Sequence, residues 1–229
     1  MELFRFTQGS LPLLVSMPHP GTYVPPEIEA RMTDIAKTVP DTDWHIPRLY
    51  DFLKGMDVST LEATHSRYVI DLNRAPDNRA LYAGASNTEL CPLTTFALEE
   101  IYLEGQRPDE AEVEERRENY WQPYHDRLKE KLARIKAQHG LALLWDAHSI
   151  RSEVPRFFEG RLPDLNLGSA EGAAAAGSLM DILAAVARDA EHLGYTHAVN
   201  GRFKGGYITR SHGDPQNGVH AVQLELSEI

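Results

Sequence analysis

The sequence has very little cysteine and no long hydrophobic run. Its one cysteine, Cys91, excludes an internal disulfide framework and a zinc site built from several cysteines. No stretch approaches the ~18 apolar residues of a membrane-spanning helix, and the first residues, MELFRFTQGS, have no apolar core like that of a signal peptide. These absences predict a protein of the reducing cytoplasm, without a membrane partner.

Positive charge is also scarce. The 229 residues include 23 Lys and Arg against 34 Asp and Glu, which gives a formal net charge of −11. Such an acidic chain disfavours nucleic acid as a partner, because phosphate backbones are bound by basic surfaces. A small anionic substrate is still allowed, since a local cluster of arginines can oppose the overall charge.

Length and patterning predict one globular α/β domain over residues 1–229. Apolar runs predict strands at 11–16, 68–72, 141–149, 196–200 and 220–227. Helices are predicted at 25–38, 44–55, 108–140 with a kink or restart at Pro123, and 170–194. Residues 76–95 and 150–169 are predicted to be loops. The alternation of strands with helices along the chain favours a largely parallel sheet.

Two predicted strands end beside histidines. His19 follows the first strand in LLVSMPHPG, and Asp146 and His148 close LALLWDAHS. Ligands of open α/β sheets bind outside the carboxyl ends of the strands, so these side chains are expected to converge. A lone histidine after a strand is usually structural, but the repeated pattern favours a metal or catalytic site.

The segment DTDWH offers Asp41, Asp43 and His45 directly before a predicted helix. With one cysteine in the chain, a metal site would consist of histidines and carboxylates. The alternative is helix capping, in which one of the two aspartates accepts hydrogen bonds from the first turn. Spacing alone does not separate these interpretations.

The segment SRYVIDLNRAPDNR carries a dense group of charged and amide side chains, namely Arg67, Asp71, Asn73, Arg74 and Arg79. Arginine binds carboxylates in a bidentate manner, so the group predicts recognition of a carboxylate-bearing substrate. The alternative is a set of surface ion pairs that contribute little.

The last third of the chain adds a glycine-containing loop, NGRFKGGYITRSHG, and a buried-looking glutamate, Glu225 in HAVQLELSE. The loop lacks the Gly-Lys-Ser/Thr order of a phosphate loop and is read instead as a substrate-embracing segment. Glu225 could be a general base, because a glutamate in an apolar strand is costly without a partner. The alternative is a solvent-facing residue on an edge strand.

Nucleophilic catalysis fits less well. No Gly-x-Ser-x-Gly elbow is present, and the adjacent Ser149 and His148 could not easily act as nucleophile and base. Cys91 could act with a distant histidine, although isolated cysteines are usually inert packing residues.

Seven segments in series, PHPG, DTDWHIPRLYD, SRYVIDLNR, LCPLTTF, WDAHSIRS, NGRFKGGYITRSHG and HAVQLELSE, resemble the N-formylglutamate amidohydrolase family over nearly the whole chain. The resemblance implies a three-layer α/β fold with a mixed, largely parallel sheet, like that of the zinc carboxypeptidases. It also implies hydrolysis of N-formyl-L-glutamate to L-glutamate and formate, in histidine degradation, with a divalent metal.

Matched motif by motif, the resemblance implies roles for nine residues. The metal ligands would be His19, Asp43 and His148, and Glu225 would be the general base. Arg67, Asn73 and Arg74 would bind the substrate, with help from Tyr207 and Arg210 of the glycine loop. His45 and Asp146 are alternatives to Asp43, because the carboxylate position of the carboxypeptidases, three residues after the first histidine, is Thr22.

The chain departs from the family pattern in SAEGAAAAG, and it stops at Ile229 where a further helix is expected. Zinc is the first expectation for the metal, with manganese, cobalt and iron as alternatives. Alternative functions are hydrolysis of another N-acyl acidic amino acid, such as N-formimidoylglutamate or an N-acylaspartate, a peptide amidase, and a non-catalytic module that binds acidic amino acids. The sequence gives no indication of the oligomeric state.

Overall fold

The fold is built on a seven-stranded sheet in the order β1-β3-β2-β4-β7-β5-β6, seen in a computed structural model that describes residues 1–81 and 86–228. The strands are β1 Phe4–Thr7, β2 Leu13–Met17, β3 Ser59–Ala63, β4 Ala142–Arg151, β5 Leu165–Gly168, β6 His197–Val199 and β7 Val219–Glu228. Four neighbouring pairs are parallel, while β1–β3 and β5–β7 are antiparallel. The predicted α/β class with a mixed, largely parallel sheet is confirmed.

Six α-helices accompany these strands in the described ranges. They are α1 Pro26–Glu29, α2 Ile46–Leu49, α3 Glu110–Arg116, α4 Gln122–His139, α5 Gly177–Asp189 and α6 Tyr207–His212. Short 3₁₀ segments occur at Ala36–Thr38, Asp51–Gly55, Ala190–Leu193 and Pro215–Asn217. Among the described residues, no helix has both the length and the apolar character needed to cross a membrane.

Helices cover both faces of the sheet. Neighbouring residues of a strand point to opposite faces, so adjacent positions of one strand pack against different helices. On one face, Leu128 of α4 packs in a cluster with Leu14 and Leu144. On the other, Ile46 of α2 packs in a cluster with Val15. The adjacent positions 14 and 15 of β2 are both buried, which explains why that strand reads as a continuous apolar run.

The strand predicted at 68–72 is wrong. Val69 N–H donates to Ser66 O, which closes a turn, and Tyr68 and Val69 are buried under Tyr102 rather than in the sheet. The strand in this region is β3, which begins nine residues before the predicted one. Its mixed sequence STLEA has no continuous apolar run that would have revealed it. The strands β1 and β5 were also unpredicted, and β5 lies inside the expected loop 150–169.

The long helix is interrupted where its proline predicted a restart. A π-helical turn, Arg117–Trp121, separates α3 from α4, and Pro123 occupies the first turn of α4, where no N–H is needed. Gly140 ends α4 with a positive φ of 79°.

The other helix predictions were too long. The segment 25–38 contains α1 and a 3₁₀ turn, and 44–55 contains α2 and a 3₁₀ turn. The helix predicted over 170–194 begins only at Gly177. The described parts of the loop predicted at 76–95 contain neither helix nor strand, while residues 82–85 of that loop lie outside the described residues.

Candidate metal centre and active site

Three parallel strands carry polar side chains to one edge of the sheet. His19 lies two residues beyond β2, β4 carries Asp146 and His148, and β7 carries Glu225. The register places Ser16 opposite Asp146 and His148 opposite Glu225. The expected convergence at the carboxyl ends of the strands is therefore present.

His19, Asp43 and His148 form a buried cluster that could hold a metal ion, since each offers a ligand atom and all three atoms lie within 4.8 Å of one another. The Asp43 Oδ2 is 3.1 Å from His148 Nδ1 and 3.7 Å from His19 Nδ1. None of the three side chains is more than 3% exposed. Among the described residues, no other group of three such side chains has this geometry.

Each histidine of the cluster is oriented by a second carboxylate. His19 Nε2 is 2.8 Å from Asp71 Oδ1, and His148 Nε2 is 2.9 Å from Asp146 Oδ2. A carboxylate can only accept, so both Nε2 atoms carry the proton, and each Nδ1 presents its lone pair toward Asp43 when the ring is neutral. Metal-binding histidines commonly have such outer partners.

The loop before α2 brings Asp43 to the two histidines. Asp43 N–H donates to His19 O over 3.0 Å, and the Asp43 carboxylate accepts from Ser149 N–H over 3.2 Å. The capping interpretation is wrong, because His45 and neither aspartate occupies the N-cap position of α2, where no side chain caps the helix. Asp41 instead accepts from the Tyr68 hydroxyl. His45 is exposed, with a positive φ of 64°.

Opposite charges dominate the electrostatics of the cluster. Burial opposes the charged form of His148, but Asp146 and Asp43 outweigh it and raise the pKa of the imidazole well above its usual range. Burial would raise the pKa of Asp43, but its interactions with His148 and His19 lower it strongly. The pKa of Asp71 is likewise held low against burial, chiefly by Arg67. Without a metal, an imidazolium compensates the buried carboxylates.

Glu225 is 6% exposed and lies on an interior strand, so the edge-strand interpretation is wrong. Burial raises the pKa of its carboxyl to about 8, against the opposing attraction of His148. Gln223 Nε2 donates to Glu225 Oε2 over 2.8 Å, while Gln223 Oε1 accepts from Gly206 N–H over 2.7 Å. The backbone at Gly206 therefore fixes which end of the amide faces the carboxylate.

Asn73 lies between the arginine segment and His148. Its Oδ1 accepts from Ile208 N–H over 2.8 Å, which places its Nδ2 3.2 Å from His148 Nε2. Both nitrogens carry hydrogen, so this contact is one of proximity and not a hydrogen bond. Gly206 must be glycine here, because a Cβ would lie 2.2 Å from Asn73 Nδ2. The close approach explains one glycine of the loop that the sequence singled out.

The arginines of this segment have different surroundings. Arg67 is 7% exposed and donates to Asp71 Oδ2 over 2.8 Å, so it is not the surface ion pair of the alternative interpretation. Arg74 Nε and Nη2 donate to Thr88, and Arg74 Nη1 donates to Asn73 O. Arg79 does form an exposed pair, with Asp77.

An open pocket lies over this edge of the sheet and encloses about 610 Å³ of space, counted to its mouth. Seven of the sequence-predicted site residues line it: His19, Asp43, Arg67, Asn73, Arg74, His148 and Glu225. Tyr207 and Arg210 are not among the described residues of the lining. Tyr207 packs against Trp121 and His125, and Arg210 is exposed and donates to Gly205 O.

Sequence reasoning missed several residues of the pocket and its supports. Asp71 was noted without a role, Gln223 was not singled out, and Arg202 was passed over although it lies in the same glycine loop as Arg210. The alternation of β7 could have identified Gln223, since residues two apart point to the same face. Cys91 is buried, and burial raises the pKa of its thiol to about 11, which disfavours a nucleophilic thiolate.

Comparison with known families supports the resemblance. The sequence profile described as N-formylglutamate amidohydrolase matches residues 11–228. A curated protein of Pseudomonas aeruginosa, named N-formylglutamate deformylase, is 52% identical over 227 residues, which cover 99% of this chain and 84% of that protein. A Pseudomonas putida protein of the same name is 49% identical with the same coverage.

Two solved structures share the fold. The crystal structure of N-formylglutamate amidohydrolase from Ralstonia eutropha superposes with a TM-score of 0.84 at 23% identity, covering 100% of this chain and 87% of that one. A gene product of Agrobacterium tumefaciens superposes with a TM-score of 0.73 at 19% identity, covering 99% of this chain and 85% of that one.

Proposed function

Since the chain belongs to the N-formylglutamate amidohydrolase family, we propose that it hydrolyses N-formyl-L-glutamate to L-glutamate and formate with a divalent metal held by His19, Asp43 and His148. One observation carries the proposal of a metal mechanism. The three candidate ligands share one pocket with a buried glutamate and arginines, which is the combination that hydrolysis of an anionic amide requires.

The residues present fit a divalent metal. Two imidazole Nδ1 atoms and one carboxylate oxygen converge, and each imidazole is held by an outer carboxylate. Two histidines and one carboxylate are a common protein ligand set for catalytic zinc, and manganese, cobalt or iron would also be accepted. A metal held there supplies a Lewis acid that polarises the formyl oxygen and lowers the pKa of water.

Glu225 is proposed as the general base. Its carboxylate takes a proton from the attacking water and returns it to the departing amine nitrogen. Gln223 holds one carboxylate oxygen, which leaves the other to exchange the proton. The pKa of about 8 for the buried carboxyl applies without a metal, and a bound cation would lower it, because a nearby positive charge favours the ionised form.

Arg74 and Asn73 are proposed to bind the substrate at the inner end of the pocket. Arg67 lines the same pocket, but its ion pair with Asp71 makes it a support for the His19–Asp71 pair. Bound carboxylates would orient the amide and select against uncharged formamides. A contact of Tyr207 or Arg210 with the substrate remains a prediction that their positions do not favour.

Related substrates are the nearest alternative. An N-formimidoyl or N-acyl acidic amino acid would engage the same arginines, and rates on those compounds would separate the cases. The non-catalytic binding module is disfavoured, since binding carboxylates requires neither the histidine cluster nor a buried glutamate. We further propose a cytoplasmic role in histidine degradation, with which the free, buried Cys91 is compatible.

The decisive experiment measures formate release from N-formyl-L-glutamate by the purified protein before and after chelation, with the metal content determined on the same sample. Release that chelation abolishes and added metal restores would support both the reaction and the cofactor. Formate release that is unaffected by complete removal of metal would contradict the metal mechanism.

A further inference from the structure

Residues 72–74 bring two side chains to the pocket but belong to no helix or strand. The two side chains are those of Asn73 and Arg74. The carbonyls of such a segment have no partner within a helix or a sheet, so the donors that satisfy them must come from elsewhere. Whatever supplies those donors also fixes the position of this part of the pocket.

Two aromatic side chains supply the donors. Trp121 Nε1–H donates to Arg74 O over 3.0 Å. His125 Nε2–H donates to Leu72 O over 2.8 Å. The two rings stack with their centres 3.8 Å apart, and neither residue is more than 3% exposed. Because the two carbonyls lie on either side of Asn73, the aromatic pair holds the backbone that carries the Asn73 side chain.

The π-helical turn Arg117–Trp121 sets the direction of this pair. Trp121 is the last residue of the turn, and His125 follows four positions later in α4, so both side chains lie on one face of the helix. Removing one residue from the turn would rotate α4 relative to α3 by about 100°. The turn therefore determines which face of α4 meets residues 72–74. Single π-helical turns are frequent at functional sites.

The helix α6 holds the same asparagine from its other side. Asn73 Oδ1 accepts from Ile208 N–H over 2.8 Å. The two supporting helices are also joined to each other, since His212 Nε2–H of α6 donates to His125 Nδ1 of α4 over 3.1 Å. The backbone of Asn73 is thus fixed by α4 and its side-chain oxygen by α6, which leaves the direction of Nδ2 defined.

Arg74 is held in a different way. Its Nη2 donates to Thr88 Oγ1 over 2.7 Å, and its Nη1 lies 4.0 Å from Asp71 Oδ2. The long side chain can keep these contacts when its own backbone shifts slightly. The side chain of Asn73 is short, so the position of its Nδ2 follows the backbone directly. Loss of the aromatic donors should therefore affect Asn73 more than Arg74.

We propose that Trp121 and His125 are positioning residues, which hold the Asn73 amide in the place where it binds the substrate. This role rests on the proposed function, in which Asn73 is a substrate-binding residue. Neither aromatic side chain is among the described residues of the pocket lining, so both act through Asn73. Their loss weakens binding of the substrate and of the transition state alike, which raises KM and leaves kcat nearly unchanged.

The first test is Trp121→Phe, which removes the indole N–H and keeps an aromatic ring. We expect KM for N-formyl-L-glutamate to rise about 5–20-fold with kcat changed less than about threefold. The dissociation constant of L-glutamate, measured by calorimetry, should rise by a similar factor. Zinc affinity in competition with a chelator should stay unchanged, because the candidate ligands are not altered. A fall in kcat at constant KM would overturn the proposal.

Trp145→Phe is the matched control. Trp145 Nε1–H donates to the Tyr50 hydroxyl over 2.9 Å, and its ring packs with Val15 on the other face of the sheet. The control loses an indole hydrogen bond of nearly the same length, so it matches the general cost of the change. It should leave KM and the dissociation constant of L-glutamate unchanged, and an equal rise in both variants would contradict a specific role for Trp121.

A double-mutant cycle separates positioning from general damage. In a protein that already carries Asn73→Ala, Trp121→Phe should change KM by less than about twofold, because the group that it positions is gone. Equal effects in the two backgrounds would overturn the proposal. If Trp121→Phe does not fold, His125→Gln and His125→Asn provide the comparison. The Gln amide nitrogen reaches Leu72 O and the Asn one does not, so equal KM values in these two variants would contradict the role.

Failure of the proposed function gives a different result. In that case the wild-type protein, loaded with metal, releases no formate from N-formyl-L-glutamate. If the wild type turns over this substrate and Asn73→Ala has an unchanged KM, the function stands and the positioning role is overturned.

Discussion

His148 and Glu225 lie directly opposite each other on the adjacent parallel strands β4 and β7. The pairing places the candidate ligand and the candidate base on the same face of the sheet, since opposed residues of neighbouring strands share a face. A shift of one residue in this register would turn Glu225 away from the pocket, so the sheet itself fixes their separation.

Replacing Glu225 by Gln removes the proton acceptor and keeps the size of the side chain. We expect kcat to fall by about 10²–10⁴-fold, because general base catalysis contributes that much. Metal content should stay stoichiometric, since Glu225 is not among the three candidate ligands. Formate release and metal analysis on the same sample check this, and near-normal turnover would remove Glu225 from the role.

Gln223→Met tests whether the amide positions the Glu225 carboxylate. The variant keeps the volume but loses the donor to Glu225 and the acceptor for Gly206 N–H. We expect kcat to fall about 10–100-fold with KM nearly unchanged, because a small misplacement of a catalytic group is costly while the arginines still bind the substrate. Gln106→Met, on the surface, is the control. A rise in KM at constant kcat would contradict a positioning role.

Asp146→Asn tests the outer carboxylate of His148. The carboxylate accepts from His148 Nε2 over 2.9 Å, and its loss should lower metal affinity by about 10–100-fold without abolishing binding. Asp43→Asn should be more severe, because it removes a candidate ligand itself. Titration with zinc in competition with a chelator measures both. Equal affinities for wild type and Asp146→Asn would contradict the supporting role.

Arg156 joins two loops that form the wall of the pocket. Its guanidinium donates to Thr95 O over 2.7 Å and to Asn87 O over 3.2 Å, from the loop that also contains Phe157. Arg156→Met should loosen this wall and raise KM by about tenfold. The change in kcat should be smaller, since the hydrogen bonds of Arg156 involve none of the candidate metal ligands. Steady-state kinetics against Arg161→Met, an exposed arginine of the same loop, distinguishes this from a general charge effect.

His125 and His212 predict a loss of stability in acid. His125 Nε2–H donates to Leu72 O, so its Nδ1 accepts from His212 Nε2–H over 3.1 Å, and both rings are neutral. Burial lowers the pKa of His212 to about 4. Burial, together with the repulsion of His212, lowers the pKa of His125 well below its usual range. The unfolded chain, with histidine pKa near 6.5, binds protons first.

The free energy of unfolding of the metal-free protein should therefore fall as the pH is lowered from about 6.5 towards 4, by up to about 1.4 kcal/mol per pH unit for each histidine. Urea unfolding at a series of pH values measures this slope. His212→Gln should show a shallower slope than wild type, whereas His139→Gln, at the exposed end of α4, should not. Identical slopes in all three proteins would contradict the prediction.

The sequence predicted those elements whose patterns are local. Buried parallel strands such as β2 and β4 read as continuous apolar runs, and Gly140 marked the end of α4. The strand β3 was missed because its sequence STLEA alternates polar residues, while an apolar turn at 68–72 imitated a strand. Short strands are defined by their neighbours in the sheet, which the local sequence does not contain.

The same limit applies to the candidate site. His19 and His148 could be identified because each follows its own strand, but the pairing of His19 with Asp71 joins residues 52 positions apart. Arg202 and Arg210 flank the same glycines, so the local sequence does not tell which of the two faces the pocket, and only Arg210 was named as a candidate. Only the start of α6 after Gly206 shows that the helix carries Arg210 to the surface.

The strand β7 has a further consequence for how the protein is assembled. It is the last strand in sequence, yet it lies between β4 and β5 and so joins β1-β3-β2-β4 to β5-β6. A nascent chain shorter than about residue 219 would hold two separate sheet fragments, with every candidate metal ligand present and no general base. During synthesis, the three candidate ligands would therefore all be present before the candidate base.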